Sequence, residues 1–183
     1  MVRIITDSAA DFEPIELEQM GISCIPLKVL FGTEEYEENI NLTKTQFYHK
    51  MLETGTMPKT SQAAPQVLAD LFEEAKAAGD EAIYFTLSSA LSGTWQSAMF
   101  VREDTGYEGA YVVDSRNATG GQRMLVEYAV KLRDKGKRAA EIVTAVEEMR
   151  DRIVLYACIN TLEYLYKGGR ISHLSYTLGT LAY

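Results

Sequence analysis

Hydroxyl and carboxylate side chains follow three of the apolar runs in this chain. Each run is followed by a pair of such residues: Asp7 with Ser8, Ser88 with Ser89, and Asp114 with Ser115. In an open α/β sheet, ligands bind beyond the carboxyl ends of the strands, where helix N-termini offer unpaired N–H donors and a partial positive charge. The pattern therefore predicts a rim that binds an anion, although each residue taken alone also fits an ordinary helix cap.

The richest of these loops is formed by residues 88–94. It carries four hydroxyls, on Ser88, Ser89, Ser92 and Thr94. Gly93 lies between the last two and allows the backbone to approach a ligand closely. A second hydroxyl-rich turn, with Thr60 and Ser61, precedes another predicted helix. Because several such turns recur before helices, the set indicates a binding site more strongly than any single member does.

A catalytic interpretation of the same residues stays open as an alternative. A serine nucleophile such as Ser92 needs a neighbouring base, and His49 and His173 are the two histidines available. Asp7 and Asp114 could form a carboxylate pair for acid–base chemistry or a Mg²⁺ site. A hydrolase, or an enzyme of phosphoryl or acyl transfer, is thus the alternative to a binding protein.

The composition argues against several classes of protein. The 183 residues include 18 basic and 26 acidic side chains, and the resulting net charge of −8 disfavours binding to nucleic acids. Cys24 and Cys158 lie within apolar runs, which predicts reduced core thiols and no zinc cluster. No apolar run reaches the roughly 20 residues that cross a membrane, and no leader precedes the first run. We therefore expect a cytoplasmic protein without a metal or an integral membrane segment.

Strand-like runs alternate with helical patterns along most of the chain. This alternation predicts an α/β fold with a mostly parallel sheet and helices on both faces. Pro26 predicts a break or an edge position in its run, and Gly32 with Thr33 predicts a hairpin. We further expect Asp11 to cap a helix that has Pro14 in its first turn, residues 54–62 to form a polar loop, and residues 153–158 to form a strand.

The set of motifs resembles the DegV family of bacterial fatty-acid-binding proteins, also called FakB-type. The motifs that carry the resemblance are residues 5–11, 21–22 with 26–27, 59–62, 87–94, 113–115, 162–165 and 168–172. They occur in the order of the family and cover essentially the whole chain. The resemblance implies that a long-chain fatty acid lies in an apolar tunnel between two α/β domains. It also implies a carrier that is not an enzyme and that presents the fatty acid to a fatty-acid kinase for acyl-phosphate formation.

The resemblance also assigns roles to residues of this sequence. Thr60, Ser61, Ser92 and Gly93 correspond to the cradle of the fatty-acid carboxylate, with Thr94 in support, and Arg170 corresponds to the residue that faces the kinase. Asp7, Ser8, Asp114 and Ser115 correspond to rim residues near the head group. The implied cradle consists of hydroxyls and backbone N–H groups without a permanent arginine. No cofactor is implied, since the fatty acid is the ligand.

One departure from the family concerns length. Members of the family usually carry a complete second domain after the Gly-Gly-Arg segment, including a histidine expected at the carboxylate, and His173 does not correspond to it. We therefore expect a DegV-like N-terminal α/β domain at residues 1–158 and the start of a truncated second α/β domain at residues 159–183.

Overall fold

The centre of the molecule is a four-stranded parallel sheet. A computed structural model describes residues 1–181. The strands of the sheet are β1 (Val2–Asp7), β2 (Ile22–Ile25), β6 (Glu81–Thr86) and β7 (Ala110–Asp114). Their order is β2-β1-β6-β7, and all neighbours are parallel. Since parallel strands end at one edge, the polar residues that follow β1, β6 and β7 are brought together there.

Helices cover both faces of this sheet. One face packs against α1 (Pro14–Met20), α5 (Thr119–Asp134) and α6 (Ala139–Arg150). The other face packs against α3 (Pro65–Ala78) and α4 (Thr94–Thr105). β6 is buried along almost its whole length because both of its faces lie under helices, as its continuous apolar run indicates. The predicted fold class is confirmed.

A smaller antiparallel sheet lies beside the main one. Its strands, in the order β4-β3-β5, are β3 (Lys28–Phe31), β4 (Glu34–Glu37) and β5 (Lys59–Ser61). Together with α2 (Lys44–Thr54) it encloses a small core around Val29, Phe31 and Leu42. The break at Pro26 and the hairpin at Gly32 are confirmed.

Two local predictions in this region are wrong. The predicted loop at 54–62 contains β5, because Thr60 pairs with Val29 of β3. Asp11 does not cap α1. It lies in the left-handed region at φ 62 and ends a single 3-10 turn, and Glu13 caps the helix through a reciprocal pair of hydrogen bonds with Glu16.

The segment after α6 differs most from its sequence-based prediction. Residues 153–158 do not form a strand, and Tyr156 is 91% exposed. An apolar run becomes a strand when a neighbour pairs with its backbone, and within residues 1–181 this run has no pairing partner. Cys158 is consequently exposed rather than a core thiol, and Cys24 on β2 is half-buried; both thiols are free.

Two short helices follow this segment. They are α7 (Glu163–Lys167) and α8 (His173–Leu181). They belong to the stretch predicted to begin a second domain, whose last two residues, 182 and 183, lie outside the described part of the chain. No helix among the described residues is long and apolar enough to cross a membrane.

Candidate functional site

A groove of about 670 Å³ lies at the carboxyl edge of the parallel sheet. Five of the residues singled out in the sequence line it: Thr60, Ser61, Ser92, Gly93 and Arg170. The apolar part of its wall consists of Leu27, Leu87, Leu91 and Leu165. The groove therefore combines hydroxyls, a guanidinium and leucines. They come from the link between β2 and β3, from β5, from the loop after β6, and from α7 and the turn after it.

Ser92 is held by the residue that begins α4. Its hydroxyl oxygen accepts a hydrogen bond from the Thr94 backbone N–H at 3.3 Å and lies 2.9 Å from the Thr94 hydroxyl oxygen. Thr94 itself is 2% exposed and does not line the groove, so it contacts Ser92 from beneath. At Gly93, an added Cβ would come within 3.0 Å of the Gln62 Oε1 atom. Glycine therefore lets the loop pack closely against the Thr60–Gln62 turn.

Thr60 and Ser61 are exposed at the end of β5, where their backbones pair with β3. Within the described residues neither hydroxyl has a protein hydrogen-bond partner, so both remain able to donate to a ligand. Thr60, Ser61 and Ser92 are called the groove hydroxyls below.

Arg170 closes one side of the groove. Its Nε donates to the Leu91 carbonyl at 3.2 Å, and its Nη1 donates to the Gly168 carbonyl at 2.6 Å. These bonds tie the turn after α7 to the loop that carries Ser92. The guanidinium thus lines the same groove as the hydroxyls, and a carboxylate site formed without an arginine stays a prediction.

Asp7 lies behind the groove rather than on its rim. Its side chain is fully buried, and it accepts hydrogen bonds from the Leu87 N–H at 2.8 Å, the Gln122 amide at 2.9 Å and the Ala9 N–H at 3.1 Å. Burial raises the pKa of Asp7 to about 6, and the three donors oppose that rise. Asp7 does not line the groove; it fixes the start of the loop that does.

Ser8 has a similar supporting position. Its hydroxyl donates to the Glu38 carboxylate at 2.6 Å, and its oxygen accepts the Leu27 N–H at 3.0 Å. The bond to Leu27 holds the chain where it passes from the parallel sheet to the antiparallel one. Asp7, Ser8 and Gln122 are called the Asp7 cluster below.

Asp114 and Ser115 also bind the protein itself. Asp114 accepts the Ser89 N–H at 3.1 Å and the Ser89 hydroxyl at 2.6 Å, and buried Ser115 donates to the Asn117 carbonyl at 2.9 Å. Neither residue lines the groove. Thus the structure places all four predicted rim residues in the scaffold around the groove.

The catalytic arrangements considered from the sequence do not assemble at the groove. Asp7 and Asp114 end β1 and β7, which are separated by β6, so their backbones lie roughly 10 Å apart. His49 on α2 and His173 on α8 are both exposed, and no histidine among residues 1–181 lines the groove. The described part of the chain also contains no group of three His, Cys, Asp or Glu side chains placed to hold a metal ion.

Gln122 is a functional-site residue that sequence reasoning missed. It is fully buried on α5, and its amide nitrogen contacts both Asp7 and Thr6. A signal was present in the sequence, because Gln122 precedes Leu125 and Ala129 by three and seven residues and therefore shares their apolar face. A polar residue at such a position indicates a buried partner.

Comparisons with known proteins agree with this architecture. A family model described as "Uncharacterised protein, DegV family" matches residues 1–183. A DegV domain-containing protein of Caldanaerobacter subterraneus is 35% identical over 178 residues, which is 97% of this chain and 63% of that protein. The chain thus spans less than two thirds of the length of this relative.

Solved structures give the same result. The structure of DegV from Bacillus subtilis, described as a fatty acid binding protein, matches with a TM-score of 0.84 and 30% identity, covering 97% of this chain and 64% of that one. A DegV family protein from Thermus thermophilus, described by its fatty acid binding, matches with a TM-score of 0.84 and 29% identity over 98% of this chain and 64% of that one. The chain belongs to the DegV family.

Proposed function

We propose that this chain binds a long-chain fatty acid and holds its carboxylate in the groove between β5, the loop after β6 and Arg170. The observation that carries the proposal is the convergence of the groove hydroxyls with a guanidinium and four leucines in one groove. The fatty acid binding described for the Bacillus subtilis and Thermus thermophilus relatives supports it.

The chemistry of the groove suits such a ligand. A carboxylate that leaves water without donors costs several kcal/mol, so its binding site must supply hydrogen bonds or charge. Ser92, Thr60 and Arg170 can supply both. Each buried methylene contributes about 0.8 kcal/mol, so a long acyl chain that also covers the leucines can provide high affinity.

In this proposal the protein is a carrier rather than an enzyme. Ser92 is bonded to Thr94 instead of to a base, and the carboxylates of Asp7 and Asp114 already accept hydrogen bonds from the protein. The groove is open and Arg170 is exposed at its side. A separate fatty-acid kinase could therefore reach the bound carboxylate, whose oxygen attacks the γ-phosphate of ATP to give acyl-phosphate and ADP.

Native mass spectrometry tests the proposed binding. The chain is mixed with a saturated C18 fatty acid and, in a parallel sample, with the C18 alcohol, which lacks the negative charge. We expect a one-to-one complex with the acid and a weaker one with the alcohol. Absence of any complex with the acid would refute the proposal, and release of a chemically altered lipid would favour an enzyme.

Arg170→Ala tests the contact with the kinase. We expect it to reduce acyl-phosphate formation by a fatty-acid kinase more than it reduces fatty-acid binding. The matched control is Arg116→Ala, since Arg116 is also exposed but pairs with Asp151 away from the groove. Equal losses of binding and of phosphorylation would show that Arg170 serves the ligand alone.

A further inference from the structure

A small, partly open cavity is lined by Thr94, the residue that contacts Ser92. It has a volume of about 10 Å³ and lies between the N-terminal turns of α3 and α4 and the face of β6. Three hydroxyl-bearing residues line it: Tyr84, Thr94 and Ser97. The rest of its wall is apolar, including Ala63, Leu68 and Ala98. The cavity is thus mostly apolar, with three hydroxyl-bearing residues in its wall.

Tyr84 is the group in this cavity that most needs a partner. Its side chain is 1% exposed, and its phenol oxygen has no hydrogen-bond partner among the described residues. A buried hydroxyl without a partner costs about 1–3 kcal/mol. One water requires roughly 10–15 Å³ and two to four polar partners, and this cavity offers about that volume and three hydroxyls.

We propose that this cavity is a binding site for a single water molecule, which links Tyr84 to Thr94 and so orients Ser92 toward the ligand. The inference rests on the proposed function, because the water orients Ser92 toward the fatty-acid carboxylate. Tyr84 is then a positioning residue for the groove, although it lies in the core.

The direction of the hydrogen bonds follows from the available lone pairs. Tyr84 donates to the water, and the water donates to the Thr94 oxygen. The Thr94 hydroxyl then directs its own hydrogen to Ser92, 2.9 Å away, whose oxygen also accepts the Thr94 N–H. With both acceptor positions of Ser92 filled, its hydrogen must point outward into the groove, where it donates to a carboxylate.

Tyr84 stays protonated, because desolvation holds its pKa well above the ordinary value and the nearby Asp7 and Cys24 add to the shift. The protonated phenol can therefore donate to the water. Ser97, which is half-buried on α4, offers the water a further acceptor.

The first test is a crystal structure of the unmodified chain at a resolution that shows ordered water. We expect one water within hydrogen-bond distance of both the Tyr84 and the Thr94 hydroxyl oxygens. Density without a water there, or a phenol bonded directly to a protein atom, would overturn the inference. This readout needs no fatty acid, so it is independent of the proposed function.

The second test compares Tyr84→Phe with the unmodified chain in binding the C18 acid and the C18 alcohol. We expect the preference for the acid to fall by about three- to tenfold, the effect of weakening one hydrogen bond to a charged group. Tyr111→Phe, a half-buried tyrosine on β7, is the matched control. An unchanged preference in Tyr84→Phe would overturn the orienting role of Tyr84. If the unmodified chain itself does not bind the acid, that result refutes the proposed function instead.

Discussion

Two groups of polar residues at the same edge of the sheet differ in how many hydrogen bonds they make to the protein itself. The Asp7 cluster is buried, and Asp7 alone accepts three hydrogen bonds from the protein. The groove hydroxyls are more exposed, and Thr60 and Ser61 have no protein partner among the described residues. The Asp7 carboxylate is saturated by protein donors, whereas the Thr60 and Ser61 hydroxyls remain available to the proposed ligand.

This difference explains why the two groups lie side by side. The Asp7 carboxylate fixes the Leu87 N–H, and Leu87 begins the loop that presents Ser92. A loop is held in one conformation when its ends are fixed by buried contacts. In the proposed function, the Asp7 cluster therefore acts through geometry, and the groove hydroxyls act through contact with the carboxylate.

Removal of the Asp7 carboxylate should have the largest effect on this arrangement. In Asp7→Ala, the Leu87 and Ala9 N–H groups lose their acceptor in the interior, whereas the Gln122 amide keeps Thr6 as an acceptor. We expect the free energy of unfolding to fall by about 2–4 kcal/mol. Urea denaturation followed by circular dichroism measures the change.

Asp70→Ala is the control for that substitution. Asp70 is exposed on α3 and accepts a hydrogen bond from the Gln66 side chain, so its loss should change the stability little. A loss below about 1 kcal/mol in Asp7→Ala would show that the cluster does not support the loop.

The titration of Asp7 should have the next largest effect on the free energy of unfolding. Its pKa is about 6 in the folded protein against 3.8 as the ordinary value, so the folded state binds a proton more readily than the unfolded state. The contribution of Asp7 to stability therefore increases as the pH falls from about 6 to about 4, by about 2–3 kcal/mol.

Comparison with Asp7→Asn isolates this contribution, since other carboxylates titrate in the same range. The pKa of Glu38, for example, is also raised by burial. We expect the stability difference between the unmodified chain and Asp7→Asn to grow in favour of the unmodified chain between pH 6 and pH 4. A difference that is constant with pH would mean that Asp7 titrates normally.

Ser92→Ala should have the smallest effect on stability and a clear one on binding. We expect the affinity for the C18 fatty acid to fall by about 1–3 kcal/mol, with an unfolding midpoint close to that of the unmodified chain. Isothermal titration calorimetry measures the affinity. Ser89→Ala is the control in the same loop, because the Ser89 hydroxyl donates to Asp114 rather than facing the groove. Equal affinities of Ser92→Ala and the unmodified chain would remove Ser92 from the carboxylate site.

The sequence predicts the groove better than it predicts the scaffold. The loop from Ser88 to Thr94 is recognisable because its hydroxyls and Gly93 follow a buried strand, and the structure brings it to Thr60, Ser61 and Arg170. By contrast, Asp7 has the same local pattern as an exposed cap. Its burial depends on Gln122, which is 115 residues away in the sequence, so no local pattern predicts this contact.

Two of the wrong predictions, at residues 153–158 and 54–62, have a common physical cause. Residues 153–158 have the composition of a strand, yet a strand forms only against a neighbour, and pairing is a property of the fold rather than of the segment. β5 shows the opposite case, since a polar stretch became a strand because β3 offered Lys59, Thr60 and Ser61 a partner.

The pairing of β1 with β6 also determines when the protein can assemble. Thr6 bonds to Phe85 across 79 residues, and Asp7 reaches Gln122 across 115. At a synthesis rate of roughly 5–20 residues per second, the ribosome needs on the order of 10 s to make the chain from β1 to β6. During that interval β1 (Val2–Asp7) lacks its β6 partner, and unpaired apolar strands are prone to aggregation. The long sequence separation of the paired strands therefore favours slow folding and prolongs the exposure of the first strand.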